Sequence, residues 1–264
     1  YAWWRGYRWY RLHDTIANLS TAVVMVLTIG YFEPSRAIYD WIERHCSTGW
    51  LSQSAWWQLL IAFVVLDFIL YWIHRIAHKN GLLWAAHEVH HQSEEMNYSV
   101  ALRQSSFLYL NSWLFLLPFA VAGFSVDVLR SVHLVSLLYE FVVHTKAFSS
   151  IPWLERVFVM PVHHRVHHAR NEAYLDRNCG SVLIIWDHLC GTFASEARDD
   201  PVQYGIHRKL PSHSPLVANL IGFRDVLSKT VRSVLGRASG QPGEQAHQAK
   251  QAGGPPVTPA LPQA

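Results

Sequence analysis

Four long apolar stretches set the strongest limit on how this chain of 264 residues folds. They cover residues 16–32, 56–73, 107–124 and 126–143. Each is close to the roughly 20 residues that a helix needs to cross a bilayer core. A single stretch of this length could be a buried core helix. Only 16% of the residues are charged, against about 25% in soluble domains, so four such stretches favour an α-helical integral membrane protein.

The connections between the stretches predict a hairpin and an orientation. Ser125 alone separates the third stretch from the fourth, which predicts a tight turn between them. Basic residues collect on cytoplasmic loops. Here they precede the first stretch and lie between the second and third: Arg5, Arg8, Arg11, Arg75, Lys79 and Arg103. We therefore expect the N-terminus, residues 74–106 and everything after residue 144 in the cytoplasm.

The two ends of the chain differ from its middle. The sequence starts at Tyr1 and not at Met, so we expect an upstream segment to have been removed or left out. From residue 236 the composition turns to Gly, Pro, Gln and Ala, which predicts a disordered tail. The expected division is a membrane domain over residues 1–235 and a tail over residues 236–264.

Cysteine content and charge exclude other classes of protein. Three scattered cysteines are too few for a disulfide framework or a cysteine-based zinc site. The formal net charge of +3 comes without a basic block, so nucleic acid is not an expected partner.

Histidine is the unusual residue, with seventeen in the chain and eleven of them between residues 74 and 168. Three clusters stand out: His74-x3-His78, His87-x2-His90-His91 and His164-x2-His167-His168. A spacing of i, i+4 places two side chains on one helix face. In the H-x2-H-H form the middle histidine is turned away by about 100°. Each triplet can therefore serve two neighbouring metals, or one metal and a partner that supports a ligand.

Clustering of this kind predicts metal binding. Eight imidazoles packed together would repel one another if protonated, and burying them without partners is costly. Neutral imidazole is a common metal ligand. One zinc takes three or four ligands, so eight histidines predict two metals. Imidazole suits zinc, copper, iron and nickel alike, which leaves the metal open.

Two other functions fit part of this pattern. Residues 87–91 also read as H-E-x-x-H, in which Glu88 would be the general base of a zinc hydrolase. The remaining clusters have no role in that enzyme, and the repeat at His164 has Arg165 in place of the glutamate. A metal carrier would place histidines inside the apolar stretches, whereas nearly all of them lie at the ends.

The order H-x3-H, H-x2-H-H, hairpin, H-x2-H-H resembles the fatty acid hydroxylase/sterol desaturase superfamily of integral-membrane di-iron oxygenases. The resemblance covers most of residues 11–205. Residues 87–105 and 163–193 are most similar to the alkylglycerol monooxygenase branch and its bacterial relatives. The resemblance implies an all-α membrane protein of about four transmembrane or hairpin helices. A cytoplasmic helical cap would carry the histidine-rich dimetal site.

The resemblance also implies a set of site residues. Its eight metal ligands are His74, His78, His87, His90, His91, His164, His167 and His168. Relatives add ligands from the last membrane helix. Here Glu140 and His144 are the two candidates, and His144 is the better one. A further set of residues is expected to contact and orient the ligands without binding the metal: Glu88, Asn97, Arg103, Gln104, Glu140, His163, Asn171, Asp176 and Asn178. The chain departs from the usual family pattern at Ala169, His188 and Cys190. These differences weaken any inference of its substrate from the family.

The implied activity is that of an O2-dependent lipid monooxygenase. Two irons would form its cofactor, although zinc can fill such a site in purified protein. The substrate class is a bilayer lipid such as a sterol, a fatty acyl chain or an alkylglycerol ether. It would be hydroxylated, desaturated or oxidatively cleaved. No nucleotide-binding or iron–sulfur motif is present. Electrons would therefore come from outside the chain, and the resemblance implies a reductase chain or tetrahydrobiopterin as their source. The oligomeric state stays open.

Overall fold

The computed structural model describes residues 4–7, 9–31, 35–48, 56–107 and 113–238. Within these ranges the chain is helical, and extended pairing is limited to three isolated bridges. The helices are α1 (Leu12–Tyr31), α2 (Ser35–Cys46), α3 (Trp56–Lys79), α4 (Gly81–His91), α5 (Tyr98–Ala101), α6 (Leu117–Ala122), α7 (Val126–Val143), α8 (Pro161–His167), α9 (Ile185–Cys190) and α10 (Pro215–Ala238). The all-α prediction is confirmed for this part of the chain.

Three of the four apolar stretches coincide with single helices: the first with α1, the second with α3 and the fourth with α7. The third does not. Trp113–Leu116 is a 3-10 turn, α6 is six residues long, and residues 108–112 lie outside the described ranges. Pro118 explains the start of α6, because proline is tolerated in the first turn of a helix but not in its interior. Gly123, at φ 97°, ends α6 in the left-handed conformation.

The predicted tight turn after the third stretch is present. Gly123, Phe124 and Ser125 separate α6 from α7, and Ser125 caps α7 by accepting a hydrogen bond from Val128 N at 3.3 Å. Tyr39 of α2 donates to the Phe124 carbonyl at 3.1 Å. A buried apolar cluster joins α2, α3, α6 and α7 beneath this turn, and includes Leu66, Phe119 and Leu129.

Among the described residues, α3 is the one helix long and apolar enough to cross a membrane. Only 22% of its apolar window is buried inside the protein. Large apolar side chains such as Leu60 and Phe68 are instead exposed. The residues 12–28 of α1 form a shorter apolar helix.

By its internal contacts the chain divides into residues 1–223 and 224–264. In the first unit, the start of α10 packs on α4: Gln92 donates to the Ala218 carbonyl at 3.1 Å. Gly222 is needed at this contact, because a Cβ there would lie 2.8 Å from both Cα and O of Ala85. Residues 236–238 form the last turn of α10. The rest of the predicted tail lies outside the described residues.

Candidate metal centre

Two pairs of helices carry the histidine clusters. α3 ends with His74 and His78, and the chain reverses at Asn80 into α4. The Asn80 side chain caps α4 by accepting hydrogen bonds from Leu82 N and Leu83 N at 3.0 and 3.1 Å. α7 ends just before His144, and α8 follows with the last triplet. An apolar helix followed by a short helix with H-x2-H-H therefore occurs twice.

The structure brings all nine predicted ligand residues together in two groups. The first group contains His74, His78, His87, His91 and His167. The second contains His90, His144, His164 and His168. Within each group, the candidate ligand atoms all lie within 4.8 Å of one another. Eight of the nine side chains come from the three clusters, and His144 joins the second group.

Each H-x2-H-H triplet is divided between the groups. His87 and His91 of α4 lie in the first group, while His90 lies in the second. The last triplet is divided the opposite way, with its first and third members in the second group and His167 in the first. The turn of about 100° per residue produces this arrangement. α4 therefore contributes one histidine to the second group, and α8 contributes one histidine to the first.

Distances between ring nitrogens fit coordination of a shared ion. In the first group, His87 Nε2 lies 3.0 Å from His74 Nε2 and 3.2 Å from His91 Nε2. In the second group, His144 Nε2 lies 3.1 Å from His90 Nε2 and 2.9 Å from His164 Nε2. Nitrogen ligands bound at about 2.0–2.1 Å to one metal are themselves about 3 Å apart.

Two buried nitrogens also call for a partner. In the described part of the chain, Nε2 of His78 and Nε2 of His167 have no hydrogen-bond partner. An unsatisfied buried polar atom is costly, and a cation among the five nitrogens of the first group would satisfy both atoms. The residues present therefore fit two metal ions.

Burial sets the protonation state of the cluster. Desolvation, with repulsion from neighbouring imidazoles, holds the pKa well below the ordinary value of 6.5 for His87, His90, His91, His164, His167 and His168. Desolvation likewise lowers the pKa of His144 to about 4. These rings are neutral near pH 7, which is the form that binds a metal.

Backbone carbonyl groups fix the orientation of four of these rings. In each of them Nδ1 donates a hydrogen bond to a carbonyl oxygen. The pairs are His74 with Cys179 O at 2.9 Å, His90 with Arg103 O at 3.0 Å, His144 with Glu140 O at 2.6 Å and His167 with Arg177 O at 2.9 Å. A proton on Nδ1 leaves the Nε2 lone pair free to face the group.

Some of the residues expected to support the ligands touch them through side chains. Asp176 Oδ1 lies 3.5 Å from His78 Nδ1, and the same carboxylate pairs with Lys79. These two neighbours lower the pKa of Asp176 to about 2. Gln104 Nε2 lies 3.4 Å from His90 Nδ1.

Arg103 and Glu140 reach the ligands through their carbonyl groups, and their side chains make other contacts. The buried guanidinium of Arg103 donates to Val89 O at 2.7 Å and to Gln92 Oε1 at 2.7 Å. The Glu140 carboxylate accepts a hydrogen bond from Ser181 at 2.6 Å.

The other expected supports bond to groups outside the nine histidines. His163 Nδ1 accepts from Met160 N at 3.2 Å. Asn97 caps α5 by accepting from Ser99 N at 2.9 Å. Asn178 donates to His163 O at 3.1 Å, and Asn171 accepts from Gln203 N at 2.8 Å.

Glu88 faces away from the nitrogens. Its carboxylate forms an ion pair with Arg208, and Oε1 would lie 2.6 Å from a Cβ placed on Gly222. It is therefore directed toward α10. A general base of a zinc hydrolase would have to face the metal instead.

Sequence reasoning missed one residue that positions the site. Asp67, fully buried in α3, accepts hydrogen bonds from Val182 N at 2.9 Å, Leu183 N at 3.2 Å and Trp186 Nε1 at 2.8 Å. It thereby holds the segment whose Cys179 carbonyl orients His74. The signal was available, because Asp67 is the only charge in the second apolar stretch.

Asp187 holds the same segment from the other side. Its carboxylate accepts from Cys179 N and Gly180 N, both at 2.8 Å. Asp67 in the middle of α3 and Asp187 in α9 therefore together hold the backbone of residues 179–183.

Comparison with known proteins agrees with this site. Residues 59–192 match the family model described as fatty acid hydroxylase, and the chain belongs to that family. The matched residues include all nine candidate ligand histidines.

Curated relatives narrow the branch. The chain is 39% identical to human alkylglycerol monooxygenase over 211 residues, which is 78% of this chain and 46% of the relative. Identity to the Danio rerio alkylglycerol monooxygenase is 40% over 201 residues, or 74% of this chain and 44% of the relative. The ornithine lipid hydroxylase OlsE of Rhizobium tropici is 27% identical over 157 residues, which is 58% of this chain and 46% of the relative. The chain thus spans about half the length of these relatives, and no solved structure gives a significant match.

Proposed function

We propose that this chain is a membrane-bound di-iron monooxygenase that oxidises a lipid with O2 and external electrons. The observation that carries the proposal is the pair of histidine groups built jointly by α4 and α8. The family match and the relatives named as monooxygenases or hydroxylases support it. Among lipid substrates the alkylglycerol ether is favoured over a sterol or fatty acyl chain, because of the similarity to alkylglycerol monooxygenases.

One iron would be held by the five histidines of the first group, and a second iron by the four histidines of the second group. Two bound irons would supply activation of O2 and oxidation of an unactivated C–H bond, which no side chain can carry out. The chain's own residues orient the ligands. Carbonyl groups and Asp176 keep the proton on Nδ1, while Asp67 and Asp187 fix the segment that bears the Cys179 carbonyl.

For an ether substrate the overall reaction is balanced by two electrons and two protons per O2. One oxygen atom enters the C–H bond next to the ether oxygen, and the other leaves as water. The resulting hemiacetal collapses to an aldehyde and glycerol. The electrons require a partner, either a reductase chain or tetrahydrobiopterin.

We further propose that the site lies at the cytoplasmic face of a bundle of about four transmembrane or hairpin helices. The exposed apolar side chains of α3 and α7, for example Leu60 and Leu138, support contact with lipid. The candidate ligands His74 and His78 lie at the C-terminal end of α3, and His144 directly follows the C-terminal end of α7, so the two ends meet at one face. The membrane domain would cover residues 1–235, followed by the tail.

The test is the metal content per chain of protein purified in detergent without added metal or chelator, next to a His91→Ala variant. We expect about two irons in the unmodified protein, a lower iron content in the His91→Ala variant, and lipid oxidation that stops without O2. A single zinc that survives His164→Ala would support a hydrolase instead. A folded protein without metal would refute the proposal.

A further inference from the structure

The last part of α10 has an apolar side with no partner in the described part of its own unit. Residues 224–238 belong to the second compact unit and continue as a helix. Four of its apolar side chains are exposed, namely Leu227, Val231, Val234 and Leu235, here called the α10 stripe. At 100° per residue they fall within an arc of about 100°. An exposed apolar row of this kind marks an interaction surface.

Charge on the same segment identifies the partner. Arg224, Lys229, Arg232 and Arg237 carry positive charge, and Asp225 is the only acid. Lys229 and Arg232 lie outside the arc of the stripe. Arg224 opens the segment, where its long stem can cover apolar surface while its head reaches water. An apolar row beside a basic polar face is typical of helices that lie in the surface of an anionic bilayer.

We propose that residues 224–235 lie in the surface of an anionic lipid bilayer, with the α10 stripe among the acyl chains and Lys229 and Arg232 at the phosphate groups. The cytoplasmic leaflet carries anionic lipid, and each basic residue close to it strengthens attachment by about fivefold. The segment would anchor the chain beyond its spanning helices. This inference rests on the proposed membrane location, but not on the metals or the reaction.

The experiment places an environment-sensitive fluorophore on single cysteines in the full chain. Cys46 and Cys190 are first replaced by Ser, and buried Cys179 is kept. Labels are attached at Val231→Cys in the stripe and at Lys229→Cys outside it. A third label, at Leu60→Cys on exposed α3, reports whether the protein spans the membrane at all. The protein is reconstituted into vesicles of phosphatidylcholine with or without phosphatidylserine.

Quenching by iodide in water and by a lipid-attached quencher reports the depth of each label. We expect the label at position 231 to be quenched from the lipid and protected from iodide, and the label at position 229 to behave in the opposite way. Phosphatidylserine should increase the lipid-quenched fraction. Lys229→Gln with Arg232→Gln should reduce that gain by roughly tenfold or more.

Three results would overturn the inference. Iodide quenching at position 231 would place the stripe in water. Protection from both quenchers would indicate a protein partner or a second copy of the chain. A gain that is independent of phosphatidylserine would remove the role of charge. Lipid quenching at position 60 together with any of these results would refute only the α10 inference, whereas its absence would refute the membrane location itself.

Discussion

The Nε2 atoms of His144 and His164 lie 2.9 Å apart, which brings the end of α7 against α8. The second histidine group is completed by His168 and by His90, which comes from α4. The first group in turn takes His167 from α8. Because each short helix contributes to both groups, a displacement of α4 or α8 would disturb both metal positions at once.

Replacing two adjacent histidines of α4 should affect different metals. His90→Ala removes a ligand from the second group, and His91→Ala removes one from the first. We expect each variant to retain about one iron per chain in place of about two, because the affected group loses one imidazole ligand and therefore holds its iron too weakly to keep it through purification. Elemental analysis gives the stoichiometry, and Mössbauer spectroscopy should show that the two variants retain different irons. Identical spectra from the two variants would contradict the division into groups.

Asp67→Asn should destabilise the protein and loosen the first metal. The carboxylate accepts three hydrogen bonds, and an amide would direct its own N–H groups at one or more of these donors. We expect a loss of about 2–4 kcal/mol of stability and a weaker hold on the iron at His74. Thermal unfolding and the rate of iron release to a chelator measure the two effects.

Asp127→Asn is the matched control for this substitution. Asp127 is exposed in the first turn of α7, and the same chemical change there should cost less than about 1 kcal/mol. Equal effects of the two substitutions would show that Asp67 has no special part in holding residues 179–183.

The sequence predicted the histidine groups better than the contacts around them. Helix periodicity turns His90 away from His87 and His91, which predicts either a second metal or a supporting role for His90. The structure places His90 in the second group. The partners of Nδ1 could not be predicted in this way. Four of them are backbone carbonyls, whose positions depend on how remote segments such as residues 177–179 pack. Pro118 predicts the break in the third apolar stretch, because proline is tolerated in the first turn of a helix but not in the interior of a continuous helix over residues 107–124.

Protein stripped of metal should lose stability as the pH falls below about 6.5. Burial lowers the pKa of His87, His90, His91, His164, His167 and His168 in the folded chain. The unfolded chain, whose histidines titrate near pH 6.5, therefore binds more protons in this range, and acid favours unfolding. Each such histidine costs about 1.4 kcal/mol per pH unit.

The measurement is the thermal midpoint of the chelated protein in detergent between about pH 7.5 and pH 5.5. The midpoint should fall steeply with acid, and less steeply in a His164→Gln variant, which lacks one of the buried imidazoles. A flat profile for the chelated protein would contradict neutral, buried histidines.

Glu88→Gln separates the oxygenase from the zinc hydrolase. A hydrolase that uses residues 87–91 needs the Glu88 carboxylate as its base and would lose turnover. In the structure this carboxylate pairs with Arg208 and is directed toward Gly222. We therefore expect Glu88→Gln to keep its iron and most of its O2-dependent turnover, while losing about 1–3 kcal/mol of stability with the ion pair. Arg208→Gln should produce the same loss of stability without touching the H-E-x-x-H segment. Abolished turnover in Glu88→Gln alone, with metal retained and activity that persists without O2, would decide for the hydrolase.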